Sequence, residues 1–190
     1  MAGSLLVSTA VVAVAEIGDK TQLLSLLLAA RYRKPVPIIV GILVATMFNH
    51  ALAAYVGEWL RGFFTPDAAR WVLGLSLLAI AAWTLKPDTL DDDVPHTTRW
   101  GVFVLALVSF FFAEMGDKTQ VATVVMAAEY RDFWSVVTGT TLGMMIANVP
   151  AVLLGSAAAT RIPLKVVRVT AAVLFAGLGV AILLGLTPGA

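Results

Sequence analysis

The chain has 190 residues, of which 59% are hydrophobic and only 13% charged, and its mean hydropathy is +0.91. This composition excludes an ordinary soluble domain and predicts an all-α integral membrane protein whose solvent is the lipid bilayer. Thirteen basic against twelve acidic residues leave a net charge of +1, so there is no basic field for nucleic acid, and with no cysteine there is neither a disulfide framework nor thiolate metal ligation.

A hydrocarbon core about 30 Å thick asks for about 20 apolar residues per helix. Six segments meet this in chain order: Ser4 to Ala30, Val36 to Leu60, Ala68 to Leu85, Gly101 to Ala128, Trp134 to Ala159 and Val166 to Leu186. The first follows a stretch without Lys or Arg and is too long for a signal-peptide core, so it is expected to stay in the mature protein. Pro35 and Pro37 open the second, Thr65-Pro66-Asp67 the third, and Ile162-Pro163 stands before the sixth. Pro150 falls inside the fifth, where it is expected to kink the helix and free a carbonyl. Trp59, Trp71, Trp83, Trp100 and Trp134 fall near predicted helix ends, where indole favours the membrane interface.

The first and fourth segments carry the same charged sentence: Ala15-Glu16-Ile17-Gly18-Asp19-Lys20-Thr21-Gln22 and Ala113-Glu114-Met115-Gly116-Asp117-Lys118-Thr119-Gln120, identical at seven of eight positions. A shift of 98 also superimposes Ala29-Ala30 on Ala127-Ala128, Tyr32-Arg33 on Tyr130-Arg131, Gly41 on Gly139, Gly57 on Gly155 and Arg70 on Arg168. Each copy holds three predicted helices, an odd number, so the second copy enters the membrane from the opposite side. The expected architecture is six transmembrane helices as two inverted three-helix repeats, residues 1–86 and 100–190, joined by an acidic connector at 87–99 containing Asp88, Asp91, Asp92 and Asp93. Arg31, Arg33, Lys34, Lys86, Arg99, Arg161, Lys165 and Arg168 gather on one side, against Arg61, Arg70 and Arg131 on the other. The richer side is expected to be cytoplasmic, with both termini outside.

An ionised side chain at mid-bilayer costs about 2.5–3.5 kcal/mol on insertion scales, so six of them imply a shared site. If each segment stays helical, Glu16, Asp19 and Lys20 project within about 100° of one face, with Gln22 at its edge, and Glu114, Asp117, Lys118 and Gln120 repeat the pattern. Gly18 and Gly116 permit close helix approach or a local break. Glu16, Asp19, Glu114 and Asp117, with oxygens from Thr21, Gln22, Thr119 and Gln120, form an all-oxygen environment suited to Mg²⁺, Ca²⁺ or Mn²⁺. Four acids and two lysines sum to about −2, which one divalent cation or protons can offset, so metal and proton compete. Lys20 and Lys118 either join that balance or pair with Glu16 and Glu114 along their own helices.

Asn49 and Asn148 lie in partner helices with a spacing of 99, one step off register, which Pro150 is expected to absorb. Their amides either complete the coordination or bond helix to helix. His50 has no counterpart; it is a packing residue or a proton relay. A salt-bridge cluster that only staples helices is the competing structural role, and a weak one, because buried ion pairs are an unreliable source of stability.

The doubled E-x-G-D-(K/R)-(T/S) motif, Glu16 to Thr21 and Glu114 to Thr119, resembles that of the manganese/calcium cation:proton antiporters of Golgi, chloroplast envelope and bacteria. The resemblance spans nearly the whole chain. It implies export of Mn²⁺, in some members Ca²⁺, from the cytoplasm against protons, with the Glu and Asp of each motif binding the ion, in a bacterial plasma membrane. No cofactor is implied, because the ion is cargo; a homodimer is compatible with the sequence and not required by it. Two other functions compete. A passive cation channel also uses acidic linings, though four clustered carboxylates suggest binding too tight for fast conduction. An intramembrane lipid-phosphate hydrolase needs arginine, serine or histidine converging on phosphate, and only His50 lies near motif depth.

Overall fold

The computed structural model describes residues 2–86, 101–154 and 164–187; the connector, Trp100, Gly155, Arg161 and Pro163 lie outside them. Eight helices are described: α1 (Ala2–Glu16), α2 (Lys20–Tyr32), α3 (Pro35–Arg61), α4 (Pro66–Thr84), α5 (Gly101–Glu114), α6 (Lys118–Tyr130), α7 (Phe133–Leu154) and α8 (Leu164–Leu183). The first and fourth predicted segments are each two helices, because the motif interrupts them. The second, third, fifth and sixth are α3, α4, α7 and α8. Two of the described helices, α3 and α7, are long and apolar enough to cross a bilayer unaided.

The bundle is oily outside as well as inside. Along α3, Val36, Val40, Leu43, Met47, Phe48, Leu52 and Tyr55 are all exposed, a continuous apolar surface that water would not tolerate and lipid would. Trp59, Trp71, Trp83 and Trp134 are likewise exposed near helix ends.

Counterpart helices start 98 residues apart: Lys20 and Lys118, Pro35 and Phe133, Pro66 and Leu164. The register therefore holds through all of α2–α4 and α6–α8, with no step between α3 and α7. The packing exchanges in the same way, since α1 lies on α7 as α5 lies on α3, and α4 pairs with α8. Two apolar clusters fill the interior. One joins Val11 and Val12 of α1, Leu77 and Ile80 of α4, Val125 and Met126 of α6, and Phe175 and Ile182 of α8. The other joins Leu24 and Leu28 of α2, Ile38 and Ile42 of α3, and Leu105 and Phe110 of α5. The chain passes from the first cluster to the second through α1 and α2, and from the second to the first through α5 and α6. Likewise α3 starts in the second cluster and reaches the first at Ala54, while α7 starts in the first at Val136 and reaches the second at Val152.

Each repeat reverses direction after its second helix at a left-handed residue, Arg33 (φ 51°) and Arg131 (φ 53°). Asp132 then anchors α7: its carboxylate accepts from Ser135 N–H at 3.3 Å and from Ser4 Oγ of α1 at 3.0 Å. Hydrogen bonding by Ser135, and after it Ser4, holds this carboxyl below the usual aspartate range.

Glycine brings the crossing helices together at Gly41 and its counterpart Gly139. A Cβ on Gly41 would sit 2.8 Å from Phe103 O and Ala106 Cβ of α5, and one on Gly139 would sit 2.7 Å from Leu5 O of α1. Alanine gains up to about 1 kcal/mol of helix propensity over glycine, but overpacking costs about 1–3 kcal/mol, so the clash wins. Gly41→Ala and Gly139→Ala are expected to lower the thermal unfolding temperature in detergent, whereas Gly3→Ala, whose Cβ would meet nothing within 4 Å, leaves it unchanged or raises it.

A candidate ion site at two helix breaks

Both motifs are chain breaks with one design. Gly18 and Gly116 adopt φ of 78° and 75°, a region only glycine enters without steric cost. Asp19 and Asp117 follow in extended conformation as the N-cap residues of α2 and α6, where a carboxylate meets the positive end of the helix dipole. Asp117 Oδ1 accepts the Lys118 N–H at 2.6 Å. Gln22 and Gln120 lock the break from one turn downstream, each Oε1 accepting the glycine N–H at 2.7 Å. Of the two roles open to Gly18 and Gly116 the structure takes the local break, which redirects the chain after each glutamate, so the one-face arrangement that a continuous helix would give does not form.

The break changes the ion pairing. Lys118 Nζ donates to Asp19 Oδ1, and Lys20 Nζ lies 3.1 Å from Asp117 Oδ2. The lysines therefore pair with the aspartate of the other repeat, not with Glu16 and Glu114 along their own helices, because a broken helix no longer sets residues four apart on one ridge. The pairs are unequal, since the Lys118 side chain is 3% exposed and that of Lys20 27%.

Glu16 and Glu114 are fully buried, in different surroundings. Thr21 Oγ1 donates to Glu16 Oε2. Glu114 instead takes its donors from α3: Thr46 Oγ1 at 2.9 Å on Oε1, and Asn49 Nδ2 at 3.5 Å on Oε2, the same amide donating to Phe111 O at 3.0 Å. His50, also fully buried, places Nε2 3.9 Å from Glu114 Oε2. Asn148 is elsewhere, accepting from Ser25 Oγ at 2.7 Å and donating to Met144 O at 3.1 Å, so of the two amides only Asn49 reaches an acid. The expected register step at Pro150 does not occur: α7 runs unbroken through Pro150, the proline lies downstream of Asn148, and the 98-residue register makes His50 the counterpart of Asn148 and Ala147 that of Asn49.

Gln22 bridges to α7, its Nε2 donating to Ala147 O at 2.9 Å. Several buried polar atoms here, among them Glu16 Oε1, Asn49 Oδ1, Thr119 Oγ1 and both ring nitrogens of His50, find no hydrogen-bond partner among the described residues, an arrangement costly enough to imply a further polar partner. Among the described residues no three His, Asp or Glu side chains converge as a ready metal cage, because the lysines hold the aspartates. Thr46 and Ser25 were not among the expected polar residues. Thr46 was within reach, standing three residues before Asn49 on the same helix face.

Comparison with known proteins gives the class. The profile of a family described as "Divalent cation/proton antiporter GDT1" matches residues 4–92 and again 102–189. A Vibrio cholerae protein named "Putative manganese exporter" is 54% identical over 172 residues, covering 90% of this chain and 86% of that one. A GDT1-like protein of Synechocystis is 30% identical over 183 residues, covering 86% and 88%. The "Divalent cation/proton antiporter GDT1" of Saccharomyces cerevisiae is 21% identical over 226 residues, covering 90% and 80%. No solved structure matches. The chain belongs to the GDT1 family of divalent cation/proton antiporters. It is thus a membrane transporter and not an enzyme, which removes the lipid-phosphate hydrolase.

Removing one partner of a buried ion pair costs about 3–5 kcal/mol, whereas a solvent-reached pair is worth about 1 kcal/mol or less. Lys118→Met is therefore expected to destabilise the protein far more than Lys20→Met. In a thermal double-mutant cycle, Asp19→Asn combined with Lys118→Met should recover most of the loss, while Asp117→Asn combined with Lys118→Met should not.

Proposed function

We propose that the chain exports divalent cations, Mn²⁺ first and Ca²⁺ second, from the cytoplasm of a bacterium across its plasma membrane in exchange for protons, with Glu16, Asp19, Glu114 and Asp117 as the ion-binding residues. The observation that carries this is the reciprocal pairing of Asp19 with Lys118 and Asp117 with Lys20 beside two fully buried glutamates. The two lysines offset two of the four carboxylates. The remaining charge of −2 is matched either by one divalent cation or by two protons, and the two occupants exclude each other.

Metal entry would release the aspartates from the lysines and supply the cage that the lysine-paired arrangement lacks. Carboxylate, amide and hydroxyl oxygens suit hard divalent ions, and the unpartnered Glu16 Oε1, Asn49 Oδ1 and Thr119 Oγ1 are oxygens of this type. Two inverted repeats, 1–86 and 100–190, are supported by the opposite senses in which counterpart helices run between the two apolar clusters. Such repeats rock about a midplane site to expose it to either side. The excess of Lys and Arg on one side supports a cytoplasmic 87–99 connector with both termini outside. Export of manganese follows the name of the Vibrio relative.

In proteoliposomes with an imposed pH gradient, Mn²⁺ and Ca²⁺ tested separately should each move against the proton flow, Mn²⁺ at lower concentration. Glu16→Gln and Asp117→Asn should each abolish movement while the protein remains folded. Flux that ignores the pH gradient and simply follows the ion's own gradient would mark a passive channel. Full activity in both variants would remove the motifs from the site.

A further inference from the structure

All three basic residues expected on the less basic face, Arg61, Arg70 and Arg131, line one cavity of about 200 Å³ formed where the ends of α3 and α6 meet the start of α4. Glu129 also lines it, but its Oε1 is engaged by the Thr187 hydroxyl. Asp67, in the first turn of α4, lies 3.5 Å from Arg70, so three guanidinium groups face two carboxylates and still leave the cavity net positive, with the start of α4 at its wall through Pro66 and Ala69. Two guanidinium nitrogens, Arg61 NH1 and Arg70 Nε, are buried without a hydrogen-bond partner among the described residues. Buried donors of this kind are costly unless an acceptor is supplied, and the planar forks of arginine match phosphate oxygens.

The cavity does not end at the charges. Arg61, Phe64, Ala69 and Leu73 are shared with a second space of about 130 Å³ that runs between α3, α4 and α6 past Val72 and Val124. Its one hydroxyl, Ser76, is already satisfied by Val72 O at 2.7 Å. A charged mouth continuous with an apolar slot fits a molecule with a phosphate at one end and a hydrocarbon chain at the other. The duplication accounts for only part of the cluster: Arg70 and Arg131 have counterparts in Arg168 and Arg33, but the counterpart position of Arg61 is Ala159 and that of Glu129 is Arg31. In the topology proposed above these arginines also oppose the charge bias that orients the chain, so a local ligand gives a reason for them.

We propose that this cavity is a binding site for one anionic phospholipid, with the phosphate among Arg61, Arg70 and Arg131 and an acyl chain in the slot between α3, α4 and α6. Lipid binding is independent of which ion the chain carries and of whether protons drive it. Each guanidinium near an anionic headgroup contributes about a fivefold increase in affinity.

The test is native mass spectrometry of the full chain in detergent, titrated separately with phosphatidylglycerol, phosphatidylcholine and inorganic phosphate. One phosphatidylglycerol should bind at saturation, more tightly than phosphatidylcholine. Arg61→Gln/Arg131→Gln should weaken it by about 25-fold, and Arg33→Gln, outside the cavity, should not. Val72→Trp fills the slot from an exposed position without altering charge; it should weaken phosphatidylglycerol and spare phosphate, and it keeps the test decisive if the arginine double variant does not fold. Phosphate binding with no preference for the lipid and no effect of Val72→Trp would mean a soluble-anion site. Equal retention of both lipids by wild type and variants would overturn the proposal.

Discussion

The crossed pairs Asp19–Lys118 and Asp117–Lys20 are the constraint on which the rest of the architecture depends. Each isolated charge at membrane depth costs about 2.5–3.5 kcal/mol on insertion scales, and each aspartate is ion-paired with the lysine of the other motif. The two breaks must therefore meet in the interior, and this fixes where the elements around them lie. α1 and α5 bring the glutamates in, α2 and α6 start from the aspartates, and α3 and α7 pack on α5 and α1 at Gly41 and Gly139 with no space for a methyl group. A bundle packed by apolar contacts alone could slide; one whose charges are satisfied only across the repeats has a single register.

The same pairs explain how a site can be both acidic and closed. With the lysines in place, the aspartates are held at the N-termini of α2 and α6, and the uncompensated charge rests on two glutamates. Under the proposed exchange, a cation competes with lysine for Asp19 and Asp117 while protons compete with the cation for the glutamates. Lysine then acts as a tethered counter-ion that preserves the cluster when cargo is absent. Its exposure is unequal, 27% for Lys20 and 3% for Lys118, so the protein encloses the Lys118–Asp19 pair more completely than the Lys20–Asp117 pair.

The sequence made the apolar segments and the duplication legible, because long apolar runs stand out and the 98-residue shift needs no geometry to detect, but it did not show that the first and fourth segments are each two helices. It also brought all four acids to notice, since charges in apolar runs stand out. The break was legible only as an alternative: Gly18 and Gly116 permit both a close-packed helix and a left-handed turn, and what decides is Gln22 and Gln120 reaching back to the glycine N–H groups, a three-dimensional fact. The cross-repeat pairing was hidden for the same reason, since spacing within a helix favours Glu16 with Lys20 until the helix is known to end between them. Asn148 was matched to Asn49 by residue type, whereas at fixed register its counterpart is His50, and of its two expected roles it takes the helix-to-helix bond, α7 to α2 through Ser25.

That register exposes a difference between halves that share seven of eight motif residues. Around Glu114, α3 supplies Thr46, Asn49 and His50, while the counterpart positions on α7 are Met144, Ala147 and Asn148. Glu16 instead takes Thr21 from its own motif, with Thr119 and Lys118 of the other motif beside it, and Asn148 turns to Ser25. The packing is uneven in the same sense, with α8 lying on α1 and α4 on α6. Duplication has preserved the charges, which must match one another, and let the neutral shell diverge. Two carboxylates with the same charge but different donors do not bind a proton or a cation equally. Under the proposed exchange the glutamates would load and release in sequence, with Glu114, held by α3, the more tightly positioned of the two and Glu16, with one oxygen unpartnered among the described residues, the freer to turn towards an arriving ion.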